Sequence, residues 1–580
     1  MTPSVPIQLG GKRNSAAWQA DGRAADRPLL PPAPQMYGLD RPAGTRRSLA
    51  WAVRASTNRG MGPRQKKSAS GPVAGEAPGP TRQLEIETKL ELDPAASLPT
   101  LAKRKRLAAA GIAGVAEPVT HHLDAVYYDT DRLDLLRSKI TLRRRTGGSD
   151  AGWHLKLPSV QGARTEIGLP LSAGDGATVP GEIRALVLGA ARGRPLAPIG
   201  RIVNERTVRH LLDAAGAVLI EVADDHVTGI SLADDRTRRW REVEAEIVGG
   251  TREQLAATVE VLISGGARPA ASPSKLARAL DYRRPEPRRN KSAGDVVVGH
   301  VSRQIERLIT ADRAVREGNT AATLDARTVC RRIASVLTVF APLFEGAALP
   351  ELRDSLRAAS ATFDGARDVQ SARQRLVDQL TEEPAPYRDR ARTRLEQACG
   401  ARLDRATDRA AQFLTGADYL TMLQTLDELV AAPPLAKRAQ RAAARELAAL
   451  LTTGWTRLAE LAEVALADPA RTSPLQEVGD WATTMRYAAE STVGTLGPDA
   501  AVLATSLEDL QEAVEEHLDA QRAADLLAAL AIEPDTDGVA GFIFGRLHAV
   551  EQNLAHTAVD DFTDAWDRIE DGELVAALGH

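Results

Sequence analysis

Charge at every second residue is the feature that most restricts what this chain can fold into. In Glu85-Ile86-Glu87-Thr88-Lys89, residues 85, 87 and 89 share one face of an extended strand, because strand side chains alternate with a period of two. Arg143 and Arg145 repeat the pattern, as do His154 and Lys156, Arg164 and Glu166, and the trio Glu242, Glu244 and Glu246. Glu221 has the same parity as Asp225. The alternate positions are mostly apolar, as with Ile86, Leu142, Trp153, Leu155 and Val243.

A sheet with one solvated face is the usual cause of alternation, and it predicts Ser, Thr, Gln and Asn among the charges. These faces are nearly free of neutral polar residues, and several strands carry mainly one sign. Such strands suit a cavity for a metal-bound polyphosphate. Carboxylates offer hard oxygen ligands to Mg²⁺ or Mn²⁺, and guanidinium and ammonium groups grip phosphate oxygens.

The strand-like runs are 84–92, 123–128, 140–146, 152–157, 164–169, 201–211, 218–222 and 240–248. Eight strands with few intervening helices predict a closed antiparallel sheet rather than a βαβ sandwich. Helical spacing occurs at 98–110 and 253–265, with a shorter piece at 274–279. A basic, Pro-containing stretch reads as a linker over 284–295. Beyond it, 296–580 reads as helix after helix, with breaks near Gly318, Pro350, Pro384, Pro433, Pro474, Gly497 and Pro534. The 580 residues thus divide into a tail, a β domain over 81–283 and an all-α domain.

Residues 1–80 carry a net charge of +8, 81–295 carry +5 and 296–580 carry −16. The first 80 residues are rich in Pro and Gly without an apolar period, which predicts a disordered basic tail. Contact of that tail with nucleic acid or acidic lipid is the weaker reading, because its charges are spread rather than clustered. No apolar run reaches the ~18 residues of a membrane helix, and the start lacks a compact apolar core for a secretory signal. With only Cys330 and Cys399 present, the chain suits a reducing cytoplasm. His121 and His122 precede a strand and read as surface residues. His154 shares the parity of Lys156 and is a candidate substrate contact.

Taken in order, Glu85-x-Glu87-x-Lys89, Tyr127-Tyr128-Asp129-Thr130, Leu142-Arg143-Arg144-Arg145, Trp153-His154-Leu155-Lys156-Leu157 and Glu242-Val243-Glu244-Ala245-Glu246 resemble the CYTH domain of the triphosphate tunnel metalloenzymes. The resemblance covers 81–283. It implies an eight-stranded antiparallel tunnel that hydrolyses, or occasionally cyclises, triphosphates with a divalent metal. Carried onto this chain, Lys89, Arg143, Arg145, Lys156 and Arg206 would hold phosphates, with Arg164 and Lys275 as further contacts. Glu85, Glu87, Glu242 and Glu244 would hold Mg²⁺ or Mn²⁺, joined by Asp225 and Glu246. Glu87 and Lys89 are the expected catalytic pair. No Gly-x-x-x-x-Gly-Lys-Ser/Thr loop is present to support P-loop chemistry.

The helical part resembles a CHAD domain, through Arg327-Thr328-Val329-Cys330-Arg331-Arg332-Ile333 and Ala366-Arg367-Asp368-Val369. A second copy runs from Leu475-Gln476-Glu477-Val478 through Met485-Arg486-Tyr487 to Glu515-Glu516-His517-Leu518-Asp519. The repeat implies two pseudo-symmetric four-helix bundles, and the family implies a basic surface for inorganic polyphosphate. This chain departs from that pattern. Leu324 and Gln476 stand where motif histidines are expected, and Gly479, Thr483 and Thr484 replace basic residues beside Asp480.

Arg327, Arg331, Arg332, Arg367 and Arg486 remain as contacts. Arg327 and Arg331 share a helix face one turn apart. In a half of charge −16, pairing with carboxylates such as Asp368 is the stronger reading. The helical module would then serve as a scaffold or protein-interaction surface, for a partner that nothing in the sequence names.

The resulting expectation is a metal-dependent triphosphatase acting on inorganic triphosphate, in the cytoplasm and without membrane attachment. Thiamine triphosphatase and adenylate cyclase activities stand as alternatives, as does a non-catalytic polyphosphate-binding scaffold. The many acids in a phosphate cavity argue against the last.

Overall fold

A computed structural model of the chain describes residues 80–578, except 103, 159–162, 175, 177, 285–290, 320 and 469–470. The described residues fall within one compact unit. All but the last residue of the expected basic tail, and the middle of the expected linker, lie outside the described residues.

The β strands are Thr81–Glu85 (β1), Glu87–Glu91 (β2), Gly114–Val115 (β3), Val119–Asp129 (β4), Thr141–Thr146 (β5), Gly152–Pro158 (β6), Arg164–Pro170 (β7), Ala197–Leu212 (β8), Val218–Ser231 (β9), Thr237–Ile247 (β10) and Arg268–Pro269 (β11). They form one antiparallel sheet in the order β1-β7-β6-β5-β4-β8-β9-β10-β2-β11, with β3 pairing β8. The fold is α+β, as expected from sequence, but the strand count and the closure need correction. Among the described residues there are eleven strands rather than eight, and their hydrogen-bonded ladder is not a closed one. The run 84–92 breaks at Ile86. Its first part pairs with β7 and its second with β10, so β1 at one end of the ladder and β2, next to the short β11 at the other, are halves of one extended segment. The two-residue β3 and β11 are too short to leave a period in the sequence.

Five helices accompany the sheet: Lys105–Ala109 (α1), Asp134–Arg137 (α2), Gly181–Val187 (α3), Arg252–Ser264 (α4) and Lys275–Ala279 (α5). Thr251 and Gln254 form a capping box that fixes the start of α4. The helix expected over 98–110 is only the five residues of α1. α4 covers the outward face of β9 and β10, where Ile220, Val222, Val243 and Ala245 pack with Leu255 and Leu262.

α5 sits at one end of the sheet's inner face. Leu276, Ala277 and Ala279 pack there with Ala125, Tyr127, Ile202, Val227 and Trp240 in a fully apolar cluster. Two glycines admit the helix. A Cβ at Gly229 would lie 2.7 Å from the Ala279 Cβ and 2.8 Å from the Trp240 ring, and one at Gly200 would lie 3.1 Å from Leu276 Cδ1. The inner space therefore has an apolar base and a charged upper part.

The helical part comprises Ala293–Arg316 (α6), Ala322–Val339 (α7), Ala348–Leu380 (α8), Ala385–Thr415 (α9), Ala417–Ala431 (α10), Ala443–Ala467 (α11), Thr472–Leu496 (α12), Pro498–Ala531 (α13), Gly538–Asp567 (α14) and Glu573–Ala577 (α15). Ser292 and Asp295 cap α6 reciprocally, so this helix starts inside the stretch expected as linker. Pro350 and Pro474 lie in the first turns of α8 and α12, where a missing N–H leaves no hydrogen bond unmade. The sets α6–α9 and α11–α14 run 24, 18, 33 and 31 residues against 25, 25, 34 and 30, matching the expected repeat. No described helix is long and apolar enough to cross a membrane.

One apolar core runs through both parts. The outward residues Leu142, Trp153, Leu155 and Ile167 of β5–β7 pack with Ile183 and Val187 of α3, and the cluster continues into Val297, Val301 and Leu308 of α6. The segment after α3 is clamped onto the helices. Arg192, held at φ 56°, makes a two-pronged ion pair with Asp427 of α10 at 3.0 and 3.1 Å, and both side chains are buried. Gln424 donates to the Arg192 carbonyl at 2.8 Å. Arg313 of α6 donates to the Pro158 carbonyl of β6 at 3.2 Å.

Removing one member of a buried ion pair leaves the other charge uncompensated, at about 3–5 kcal/mol. Arg192→Ala is expected to lower unfolding free energy by that order in urea titration. The transition should stay single, because the shared core couples the two parts.

Candidate active site

The charged upper part of the sheet encloses a cavity of about 220 Å³, lined by residues of β1, β2 and β4–β10 together with Ser274 and Lys275. The alternation seen in sequence produces it, since β2, β5, β6, β7 and β10 turn charged positions of one parity inward. Of the predicted phosphate contacts, Lys89, Arg143, Arg145, Lys156, Arg164, Arg206 and Lys275 all line the cavity. Of the predicted metal carboxylates, Glu85, Glu87, Glu244 and Glu246 line it, whereas Asp225 and Glu242 do not.

Asp225 and Glu242 lie deeper, between the cavity and the apolar base. Asp225 is fully buried, and Arg206 grips it with two bonds of 2.8 and 2.7 Å. Asn204 donates to the same carboxylate at 2.9 Å. Lys275, placed by the Ser274 cap of α5, reaches Asp225 at 2.9 Å, Glu242 at 2.5 Å and Glu244 at 2.8 Å. Trp240 Nε1 donates to Glu242 at 2.6 Å. Burial raises the Asp225 pKa, but Lys275 and Arg206 outweigh it and bring the group down to about 2. Burial likewise opposes ionisation of Glu244, and Lys275, Lys89 and Arg206 hold it well below the carboxylate range.

Higher in the cavity Lys89 Nζ lies between Glu87, at 3.2 Å, and Glu244. On the opposite wall Lys156 Nζ lies 2.6 Å from Glu85 and 3.0 Å from Glu166, and His154 Nδ1 also meets Glu166. Burial and a hydrogen bond to Glu166 push Glu85 up to about 8. Arg145 pairs with Asp150. Arg143 has no carboxylate partner among the described residues; it meets the Tyr127 hydroxyl, and its Nε is buried with no hydrogen-bond acceptor. The Arg145 Nε is in the same condition. Buried guanidinium donors without acceptors suit an anion.

The carboxylates suit a hard divalent cation. Glu87 stands directly opposite Glu246, and Glu246 directly opposite Glu221, at paired register positions of β2, β10 and β9. Like charges so placed repel each other, and an oxygen-only donor set matches Mg²⁺ or Mn²⁺ chemistry. Asp225, Glu242 and Glu244 form a second set whose oxygens lie within 4.8 Å of one another, but its members already face Lys275 and Arg206.

Glu166, Glu221, Asp150, Gln83 and Tyr127 also line the cavity and were not singled out as site residues from sequence. Glu166 carried a usable signal, its parity with Arg164. His154 lines the cavity; His121 and His122 of β4 do not.

Within the helical part, Arg327, Arg331 and Arg367 line a second cavity of about 230 Å³, together with Gln476, Gly479, Asp480 and Thr483. All five predicted arginines face carboxylates. Arg327 pairs with Asp364, Arg331 with Asp480 at 3.4 Å, and Arg367 with Asp368 at 3.1 Å and Asp519 at 3.0 Å. Arg332 and Arg486 lie outside that lining, stacked on Tyr487 with each guanidinium 4.6 Å from the ring centroid, and both reach Glu490.

The chain thus joins an inward-facing charged sheet over an apolar base to paired sets of helices. Comparison with known proteins agrees: a CYTH domain matches residues 83–272 and a CHAD domain matches 299–528. The chain belongs to the family of proteins that carry a CYTH domain followed by a CHAD domain. A protein of Mycobacterium tuberculosis, from strains CDC 1551 / Oshkosh and H37Rv, is 34% identical over 509 residues, covering 83% of this chain and 95% of its own. Among solved structures, PptA from Streptomyces chartreusis is 23% identical with a TM-score of 0.42, covering 48% of this chain and 99% of its own. The CHAD domain of the plant Ricinus communis is 18% identical with a TM-score of 0.40, covering 48% and 92%.

Burial beside Glu87, Glu221 and Glu244 raises Glu246 to about 7 from an ordinary 4.5. A carboxyl with a raised folded-state pKa stabilises the fold below its unfolded pKa, and that contribution fades as pH rises between the two values. In metal-free buffer, wild-type stability is expected to fall between pH 4.5 and 7. Glu246→Gln should flatten that slope in urea titrations across the range.

Proposed function

We propose that the tunnel hydrolyses inorganic triphosphate to diphosphate and phosphate with Mg²⁺ or Mn²⁺. The observation that carries this reading is a small cavity where seven cations and seven carboxylates line one space above an apolar base. Its volume of about 220 Å³ is below the roughly 300–1,000 Å³ of pockets that enclose drug-sized ligands. A bare phosphate chain suits that space. The organic part of thiamine triphosphate or ATP would have to project beyond it.

Phosphoryl transfer needs in-line positioning and neutralisation of charge more than covalent help from the protein. Arg143 and Arg164, which make no ion pair with a carboxylate among the described residues, are the contacts open to the first phosphate. Lys89, Lys156, Arg145 and Arg206 would orient the others. Glu85, Glu87, Glu244 and Glu246 would hold the cation. A bound Mg²⁺ or Mn²⁺ supplies charge neutralisation at phosphate oxygens and lowers the pKa of bound water. So many acids around a phosphate site serve a metal enzyme better than a passive polyanion binder.

Glu87→Gln should reduce metal-dependent phosphate release from inorganic triphosphate by more than the roughly 10–100-fold typical of losing a partner that merely supports a metal ligand. Release assays with inorganic triphosphate, thiamine triphosphate and ATP rank the substrates; no release from any of them in a folded protein would overturn the reading. In the helical part the arginines are already satisfied by carboxylates, which supports a scaffold role over polyphosphate capture. Arg327→Ala combined with Arg331→Ala is expected to change polyphosphate affinity, followed by calorimetry, by less than about tenfold.

A further inference from the structure

We propose that Glu166 is a built-in competitor of the phosphate chain, occupying Lys156 and His154 so that the metal-free tunnel holds triphosphate poorly. This rests on the reading of the tunnel as a triphosphate site and adds to it a residue that lowers the affinity of that site.

The geometry is specific. Glu166 on β7 stands directly opposite Lys156 on β6. One of its oxygens lies 3.0 Å from Lys156 Nζ and the other meets His154 Nδ1. The remaining ring nitrogen of His154 is engaged by the Asp150 carbonyl at 2.9 Å, so this imidazole has no free nitrogen while Glu166 stays in place. Lys156 Nζ donates to Glu85 at 2.6 Å, and its approach to Glu166 is an ion pair without a hydrogen bond. Glu166 thus bridges two cationic or donor groups on the wall where Arg143 offers an unmatched guanidinium. Lys156, Arg143 and hydrogen bonds from His154 and Glu85 keep Glu166 ionised against the pull of burial.

A phosphate arriving at Arg143 meets this carboxylate as a rival for the same hydrogens and as a like charge. On the facing wall the lock is of another kind: Lys89 is held by Glu87 and Glu244, carboxylates with a use as metal ligands. A divalent cation taken up by Glu87 and Glu244 would release Lys89, whereas Glu166 meets Lys156 and His154 and is not among the carboxylates read as metal ligands. Its charge therefore acts on affinity alone and raises the threshold that a triphosphate must pass.

The test is isothermal titration of the full chain with imidotriphosphate, a non-hydrolysable triphosphate, with EDTA and separately with Mg²⁺. Glu166→Gln keeps the shape and removes the charge. It is expected to tighten metal-free binding by about fivefold to a hundredfold, the range of ordinary coupling between sites. The gain should vanish when Glu166→Gln is made in a Lys156→Gln background, which a general structural effect would not do. Glu166→Asp, with the carboxylate drawn back by one methylene, should give a smaller gain of the same sign, and it serves if the Gln variant does not fold. Unchanged or weaker metal-free binding in the folded variants, with the wild type binding in Mg²⁺, overturns the role of Glu166 and leaves the tunnel reading standing. No binding by any of the proteins under either condition overturns both.

Discussion

Asp225 is an ion with no access to water, and the inner architecture of the sheet is arranged around keeping it charged. Isolated burial of a carboxylate costs many kcal/mol unless it is paired and hydrogen-bonded. Here Arg206, Lys275 and Asn204 together satisfy it. The two cations are in turn anchored on Glu244, and Lys275 on Glu242 as well. Because Lys275 opens α5, this network also fixes the helix that fills the base. Electrostatics and apolar packing therefore meet at one residue, and loss of either would unseat the other.

The wall built by β5–β7 has two faces with different duties. Its inward side chains line the cavity, and its outward ones lie in the same apolar core as α3 and α6. The position of Lys156 or His154 within the cavity thus depends on how well Trp153 and Leu155 pack behind them. The helical part acts on the site as a buttress, through side chains that never enter it.

Much of this was legible in the sequence, because parity is a local property. Residues such as Glu85, Glu87 and Lys89 announce a shared face without any knowledge of the fold, and the ordered motifs announced the family. What stayed hidden depends on distance. Nothing in the run Glu242 to Glu246 tells which of its three carboxylates reaches the cavity; the register with β2, which sets Glu246 against Glu87, decides it. The break at Ile86 arises because one segment serves two different neighbours. Glu166 was visible as a charged position, but its bond to His154 belongs to the β6–β7 pairing. In the helical part the excess of acid foretold that the arginines would be paired, although it could not name Asp364 or Asp519 as partners.

The apolar base has a consequence for traffic. With Leu276 and Trp240 packed across one end, the described residues close that end of the space. On the proposed reading, an elongated anion would enter end-on from the other side, and one longer than the space would leave its remainder in solvent. Such a site would take chain ends in preference to chain middles.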